Sequence, residues 1–220
     1  MDLEIEWEDE VDTEETPFTV IPIPYLDTDM ITKKVLSMKK DWVNRSEEFP
    51  FYTLGRCAYL DGKTDAYYKD LINQNNILVK EFDRLYLSIG NKLKDLLKED
   101  IYLSHTLRVP GFHIFPSHPK FLSIAGKWHQ DYPHTTLGLE EMDSYAFTLV
   151  IKLPASGGGM DYIDEFHQPQ HFAYNEKDLV IHNGKTIHRI AGIKKYVSGE
   201  YRITLQGHII RRDGVLEIFF

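Results

Sequence analysis

Hydrophobic positions are spaced differently in the two halves of the chain. Between Asp65 and Lys98, apolar residues recur at steps of three, four or seven: Leu71, Leu78, Phe82, Leu85, Ile89, Leu93 and Leu96. Charged residues fill the positions between them, so the spacing predicts a long amphipathic helix over about 65–98, with a break near Asn73–Asn76 or at Gly90. A shorter helix is predicted from a cap at Asp27 or Thr28 to about Trp42, with Met30, Ile31, Val35, Met38 and Trp42 on one side. Ahead of it, "PFTVIPIP" (17–24) is apolar and β-branched but punctuated by proline, which marks an edge strand. Residues 47–63 read as loop, with a short strand around Arg56–Leu60.

After residue 100 the helical period disappears. Short runs such as "SYAFTLVIKL", "DLVIHNG", "YRITLQGHII" and "VLEIFF" are rich in β-branched and aromatic residues, and turn residues separate them. Such punctuation at intervals of roughly 8–15 residues is that of a sandwich or barrel. The expectation is an α+β protein: a tail over 1–16, then a single domain over 17–220, helical over about 27–100 and β-rich over about 101–220.

Charge changes the reading at one end only. The net charge of −9 comes from residues 1–16, which hold nine acids and no base, leaving 25 acids against 25 Lys and Arg elsewhere. A body without a basic excess disfavours nucleic acid as a partner. The tail reads as a solvated terminus, with a partner-binding segment as the alternative. No apolar run approaches the roughly 20 residues of a membrane span, and the acidic start is unlike a signal or transit peptide. A cytoplasmic protein with a small-molecule partner is the default expectation. With one cysteine, Cys57, any metal would fall to histidine and carboxylate ligands.

Candidate ligands lie in "GKWHQDYPH" (126–134). On an extended segment His129 and Asp131 point to the same face, which sets an imidazole beside a carboxylate. The plain alternative is a polar loop. Two His and one carboxylate would make the facial set that suits non-haem Fe(II). "DLVIHNGKTIHRI" offers His182 and His188 as the second histidine. His182 sits inside an apolar strand, whereas His188 follows a turn and opens a new strand, so His188 is preferred. Downstream, Arg202 and Thr204 share a face of "YRITLQGHII". A guanidinium inside a β-branched strand needs an anionic partner, and a ligand carboxylate suits its fork. An Arg–Glu pair on a solvent face is the alternative.

HxD (129–131), "NGKTIHR" (183–189) and "RIT" (202–204), in that order, resemble the Fe(II)/2-oxoglutarate-dependent oxygenases over about residues 105–212. The resemblance implies a double-stranded β-helix (jelly-roll) core braced by N-terminal helices. It further implies iron ligands His129, Asp131 and His188, which are then the catalytic set, and Arg202 with Thr204 holding the distal carboxylate of 2-oxoglutarate. Dioxygen and 2-oxoglutarate would be consumed, succinate and CO2 released, and an unactivated C–H hydroxylated. "FPFYTLGRCAYLDG" and "RVPGFHIF" are similar to segments of small bacterial oxygenases of free amino acids, including lysine hydroxylases and halogenases. Those halogenases carry Gly where this chain has Asp131, so the resemblance implies hydroxylation. A non-catalytic cupin-like metal- or ligand-binding protein is the rival reading. A pure metal binder, however, has no use for Arg202.

Trp128, His134, Asp161 and Asp164 are candidate substrate contacts, the two acids for a cationic group. Core packing and solvated loops are their alternatives. "SGGGMDY" (156–162) lacks the ending and context of a phosphate loop and reads as a glycine turn near the site mouth. Arg108 and His113 could reach substrate or co-substrate, although exposed ion pairs are the commoner fate.

Overall fold

A computed structural model describes residues 16–62, 64–122, 126–138 and 144–220. The acidic tail, but for Thr16, lies outside them. The elements in chain order are β1 (Phe18–Pro22), α1 (Thr28–Ser37), β2 (Val43–Asn44), β3 (Tyr52–Leu54), α2 (Ala58–Asp61), α3 (Asp65–Tyr68), α4 (Leu71–Glu81), α5 (Asp83–Leu97) and β4 (Ile101–Leu103). There follow β5 (Gly111–Pro116), α6 (Pro133–Leu137), β6 (Ser144–Lys152), β7 (Met160–Ile163), β8 (Pro169–Phe172), β9 (Asp178–Asn183), β10 (His188–Ile190), β11 (Tyr201–Arg212) and β12 (Val215–Phe219). Helices thus dominate the first half and strands the second.

The helical segments differ from their sequence reading in length. Asp27 caps α1, its carboxylate accepting from Met30 N at 2.9 Å. The helix ends at Ser37 rather than near Trp42: a 3-10 turn over Lys39–Asp41 follows, and the Trp42 indole folds back to donate to the Val35 carbonyl. The predicted 65–98 helix is three helices. Asp70, at φ +54°, separates α3 from α4, and Phe82, at φ −130°, separates α4 from α5. Neither break falls at Asn73–Asn76 or Gly90. Asn75 is polar for another reason: it is buried, donates to Leu107 O and accepts from Val109 N, tying α4 to the strand side. The strand expected at 56–60 is instead β3 at 52–54, followed by α2.

The large sheet runs β1-β9-β6-β11-β5-β3-β2 and is antiparallel along that path. β12 joins β11, and β4 joins β12 in a parallel pair. β1 lies at the sheet edge, as its prolines require. A three-stranded sheet, β10-β7-β8, packs on the other face. Strand alternation sorts the side chains. Phe112, Ile114, Phe147, Leu149, Leu179, Ile181, Ile203 and Leu205 point to the helices, where Leu78, Phe82, Leu85, Ile89 and Leu93 cover them. The intervening residues face the small sheet. Val150 and Val180 pack there against Met160 and Tyr162, while His113, Phe115, Thr148, His182, Arg202 and His208 line a cavity.

A buried ion pair anchors α2 beneath this sheet. Arg45 grips Asp61 through two nitrogens, at 2.9 and 2.7 Å, and Arg56 adds a contact at 3.1 Å. Cys57 donates its N–H to the same carboxylate, and burial pushes its thiol up to about 12, so it is inert near neutrality. Burial alone would raise Asp61; the Arg45 hydrogen bonds and charge outweigh it and hold the carboxyl below its ordinary 3.8. Asp61→Ala should therefore cost about 3–5 kcal/mol, because it strands a buried guanidinium. A folded-state value held below the unfolded one places this contribution above the unfolded pKa, and it fades as pH falls through the folded pKa. Urea midpoints of the two proteins should converge in strong acid and differ most near neutrality.

Candidate metal centre and its cavity

His129 and His188 come from distant segments that the backbone joins. The two residues form an isolated antiparallel bridge, with His129 N donating to His188 O at 3.0 Å and His188 N to His129 O at 2.9 Å. Two residues on, Asp131 N donates to Gly184 O at 2.8 Å. The "NGKT" turn is thereby strapped along residues 129–131. Gly184 is needed for this approach: a Cβ there would stand 2.6 Å from Asp131 O and 2.7 Å from Ser144 Oγ. Gly184→Ala should push Asp131 out of place and weaken metal retention by about ten- to a hundredfold, read by titration with a competing chelator, while the fold survives.

The side chains converge. One ligand atom from each of His129, Asp131 and His188 lies within 4.8 Å of the others. Nε2 of His188 is 3.6 Å from Asp131 Oδ2, and Nε2 of His129 is 3.9 Å from Asp131 Oδ1. A divalent ion with bonds of about 2.1 Å would bridge such spans after small side-chain rotations. The tautomers suit it. Nδ1 of His129 is 2.8 Å from the Lys127 carbonyl and Nδ1 of His188 is 2.9 Å from the Thr186 carbonyl. A carbonyl only accepts, so each Nδ1 carries the proton and each Nε2 offers its lone pair. Burial would raise Asp131, but the imidazoles of His188, His208, His182 and His129 outweigh it and hold the carboxyl below its usual value. Burial lowers His188. The set offers one carboxylate and two imidazole nitrogens, a hard-to-borderline donor set for a first-row divalent metal.

His182 is close but separate. Its ring centroid is 4.5 Å from that of His188, and Nδ1 donates to the Asn183 carbonyl. Burial depresses it to about 4, so it is neutral. Among the described residues it is not part of the cluster of potential metal ligands.

Arg202 is buried in the wall of the same cavity, which encloses about 650 Å³. Nε donates to the Gly158 carbonyl at 2.9 Å and Nη1 approaches Thr204 Oγ1 at 3.4 Å. The rings of Phe115 and Tyr174 each lie 5.6 Å from the guanidinium carbon. No carboxylate of the described residues pairs with it. Gly157 and Gly158, at φ +87° and +84°, make the turn that presents this carbonyl, which is the role of the glycine run in "SGGGMDY".

None of the four candidate substrate contacts lines the cavity. Trp128 stacks under the Arg189 guanidinium at 4.2 Å. Asp161 binds Arg189 and His171. Asp164 accepts from Phe166 N, Gln168 N and Gln170 Nε2 within its own turn. His134 is buried in α6 against Tyr132. Arg108 is spent on the Tyr67 and Lys69 carbonyls and on Gln74. His113, by contrast, lines the cavity, meets the Tyr59 hydroxyl at 2.9 Å, and is held well below its ordinary value by burial. Sequence reasoning passed over Tyr59, His208 and the cavity phenylalanines. For Phe115 and His208 the signal was alternation along β5 and β11, which puts them, with His113, on the face opposite the helices; Tyr59, Phe49, Phe51 and Phe121 lie outside those strands and carried no such signal.

No family model matches the sequence, and no curated protein matches it. Solved structures do. A 2OG-Fe(II) oxygenase family oxidoreductase from Burkholderia pseudomallei superposes with a TM-score of 0.56 at 10% identity, covering 90% of this chain and 86% of that one. A putative 2OG-Fe(II) oxygenase family protein from Caulobacter crescentus gives 0.52 at 16% identity, with 92% and 78% covered. An N-substituted L-amino acid dioxygenase from Burkholderia ambifaria gives 0.50 at 14% identity, with 75% and 73% covered. At these identities the likeness is one of fold.

Proposed function

We propose that this chain is an Fe(II)- and 2-oxoglutarate-dependent oxygenase that hydroxylates an unactivated C–H of a small molecule, and that its two facing sheets are a double-stranded β-helix. The observation that carries the reading is a pairing. A His129–Asp131–His188 cluster with both Nε2 lone pairs free shares one cavity with Arg202, a buried guanidinium with no carboxylate partner among the described residues. A metal-binding cupin needs the first feature and not the second.

In this reading His129, Asp131 and His188 hold the iron. Arg202 and Thr204 take the distal carboxylate of 2-oxoglutarate. Because Gly158 holds Nε, the guanidinium is fixed in rotation and its terminal nitrogens are left for the carboxylate. With dioxygen, the bound metal and co-substrate supply an oxidant strong enough for an aliphatic C–H, releasing succinate and CO2. The chain orients the reacting bond and excludes water with its aromatic walls. Asp131 fills the position that is glycine in related halogenases, which favours an alcohol product. On resemblance, the candidate substrates are free amino acids such as lysine and their derivatives, between which the cavity lining discriminates.

Anaerobic addition of Fe(II) and 2-oxoglutarate should produce a weak visible charge-transfer band. Exposure to air with a substrate panel should then yield succinate matched by oxygenated product. Metal uptake without the band or succinate would favour the non-catalytic reading.

A further inference from the structure

One side of the cavity is a continuous aromatic wall. Phe51 and Phe115 stack face to face, with centroids 4.4 Å apart and planes 2° from parallel. Phe121 meets Phe115 edge-on at 5.9 Å and Phe49 meets Phe121 at 5.6 Å, so four phenylalanines form one continuous wall. His113 extends it, edge-on to Phe51 at 5.4 Å and bonded to the Tyr59 hydroxyl. Three different parts of the fold supply these rings: the loop before β3, strand β5 and the 3-10 turn Pro119–Leu122. None of the four phenylalanines belongs to the helix-facing core, to which β5 contributes Phe112 and Ile114 from its opposite face.

The charges in the lining are few. Among the described residues they are Asp131, Arg202 and the exposed Lys127, with neutral His113, His182 and His208. The metal takes Asp131 and the co-substrate takes Arg202. Among the described lining residues, what remains is one cation at the rim and no carboxylate. An ammonium group entering such a cavity loses its hydration and meets no carboxylate among those residues; ring faces and the side chains of Thr148 and Gln206 offset part of that cost, while Arg202 and Lys127 oppose it. A neutral aromatic or apolar body meets quadrupole-matched ring faces and edges instead. A cavity of this size accepts a drug-sized ligand beside the co-substrate.

We infer, resting on the oxygenase reading above, that the substrate presents an uncharged aromatic or apolar group to the wall of Phe49, Phe51, Phe115 and Phe121, in preference to the ammonium-bearing side chain of free lysine. A derivative whose amine is masked remains compatible, with Lys127 placed to meet an acidic end.

The test uses the anaerobic protein–Fe(II)–2-oxoglutarate complex, its charge-transfer band certifying that it has formed. Binding is measured by equilibrium dialysis for 3-phenylpropanol, for 3-phenylpropylamine (the same body with an ammonium) and for L-lysine. The alcohol should bind at least tenfold more tightly than the amine and at least tenfold more tightly than lysine. Phe51→Ala and, independently, Phe49→Ala should each weaken the alcohol by about tenfold while the affinity for 2-oxoglutarate stays within twofold. Binding of lysine or the amine as tight as the alcohol would overturn the inference, as would no binding of the alcohol to a complex that shows the band. Failure to form the band would instead overturn the oxygenase reading on which the inference rests.

Discussion

Asp131→Ala is expected to abolish turnover and to lower metal affinity by more than about a hundredfold. Loss of a second-layer partner alone costs ten- to a hundredfold, and this is a direct ligand. Asp131 is the only carboxylate of the cluster among the described residues, and its backbone is already fixed by Gly184 and Ser144. Removing it leaves two imidazoles and, among the described residues, no carboxylate in the cluster to neutralise a divalent ion. His188→Ala should behave alike, and so should His129→Ala. The informative control is His182→Ala. That ring touches His188 but lies outside the cluster, so the variant should keep a measurable part of the activity. Metal content and succinate release measure both quantities. An inactive His182→Ala beside an active His188→Ala would reverse the ligand assignment.

Arg202→Lys should raise the 2-oxoglutarate requirement about five- to 150-fold, corresponding to roughly 1–3 kcal/mol, with a smaller effect on the substrate requirement. Lysine keeps the charge but loses the planar fork and the Nε donor that Gly158 holds. It would sit in the same buried pocket between Phe115 and Tyr174, where burial lowers even the arginine and would lower lysine further. Steady-state kinetics at varied 2-oxoglutarate decide the matter, and an unchanged co-substrate dependence would remove Arg202 from the site.

Much of this arrangement was legible in the sequence because short-range spacing carried it. The His-x-Asp pair needs only an extended backbone, and Arg202 stands out because a buried β-branched strand has no ordinary use for a guanidinium. The turn before His188 separated it from His182, whose strand position reads as packed. Breaks in the helices were not legible. Asp70 adopts a left-handed conformation usual for glycine, and Phe82 ends one helix and starts the next without a polar cap. Both depend on how α4 and α5 pack. The aromatic wall was hidden for a different reason: Phe115 or Phe121 on its own resembles core, and only the sheet register shows which face it occupies. Asp161 and Asp164 drew notice as free acids, but their partners, Arg189 and a local turn, are apparent only in three dimensions.

The bridge between His129 and His188 uses main-chain atoms alone. The two segments are therefore in register whatever stands between the imidazoles, and little ordering entropy is left for metal binding to spend. In thermodynamic linkage, a ligand that binds only the native state raises stability by RT ln(1 + [L]/Kd). With a preformed site, nearly all of the interaction energy enters that Kd rather than being consumed in folding a loop. The melting temperature should then climb with the logarithm of free metal concentration. Chelation should lower it along the same curve and leave a folded chain whose His129 and His188 amides still exchange slowly with solvent.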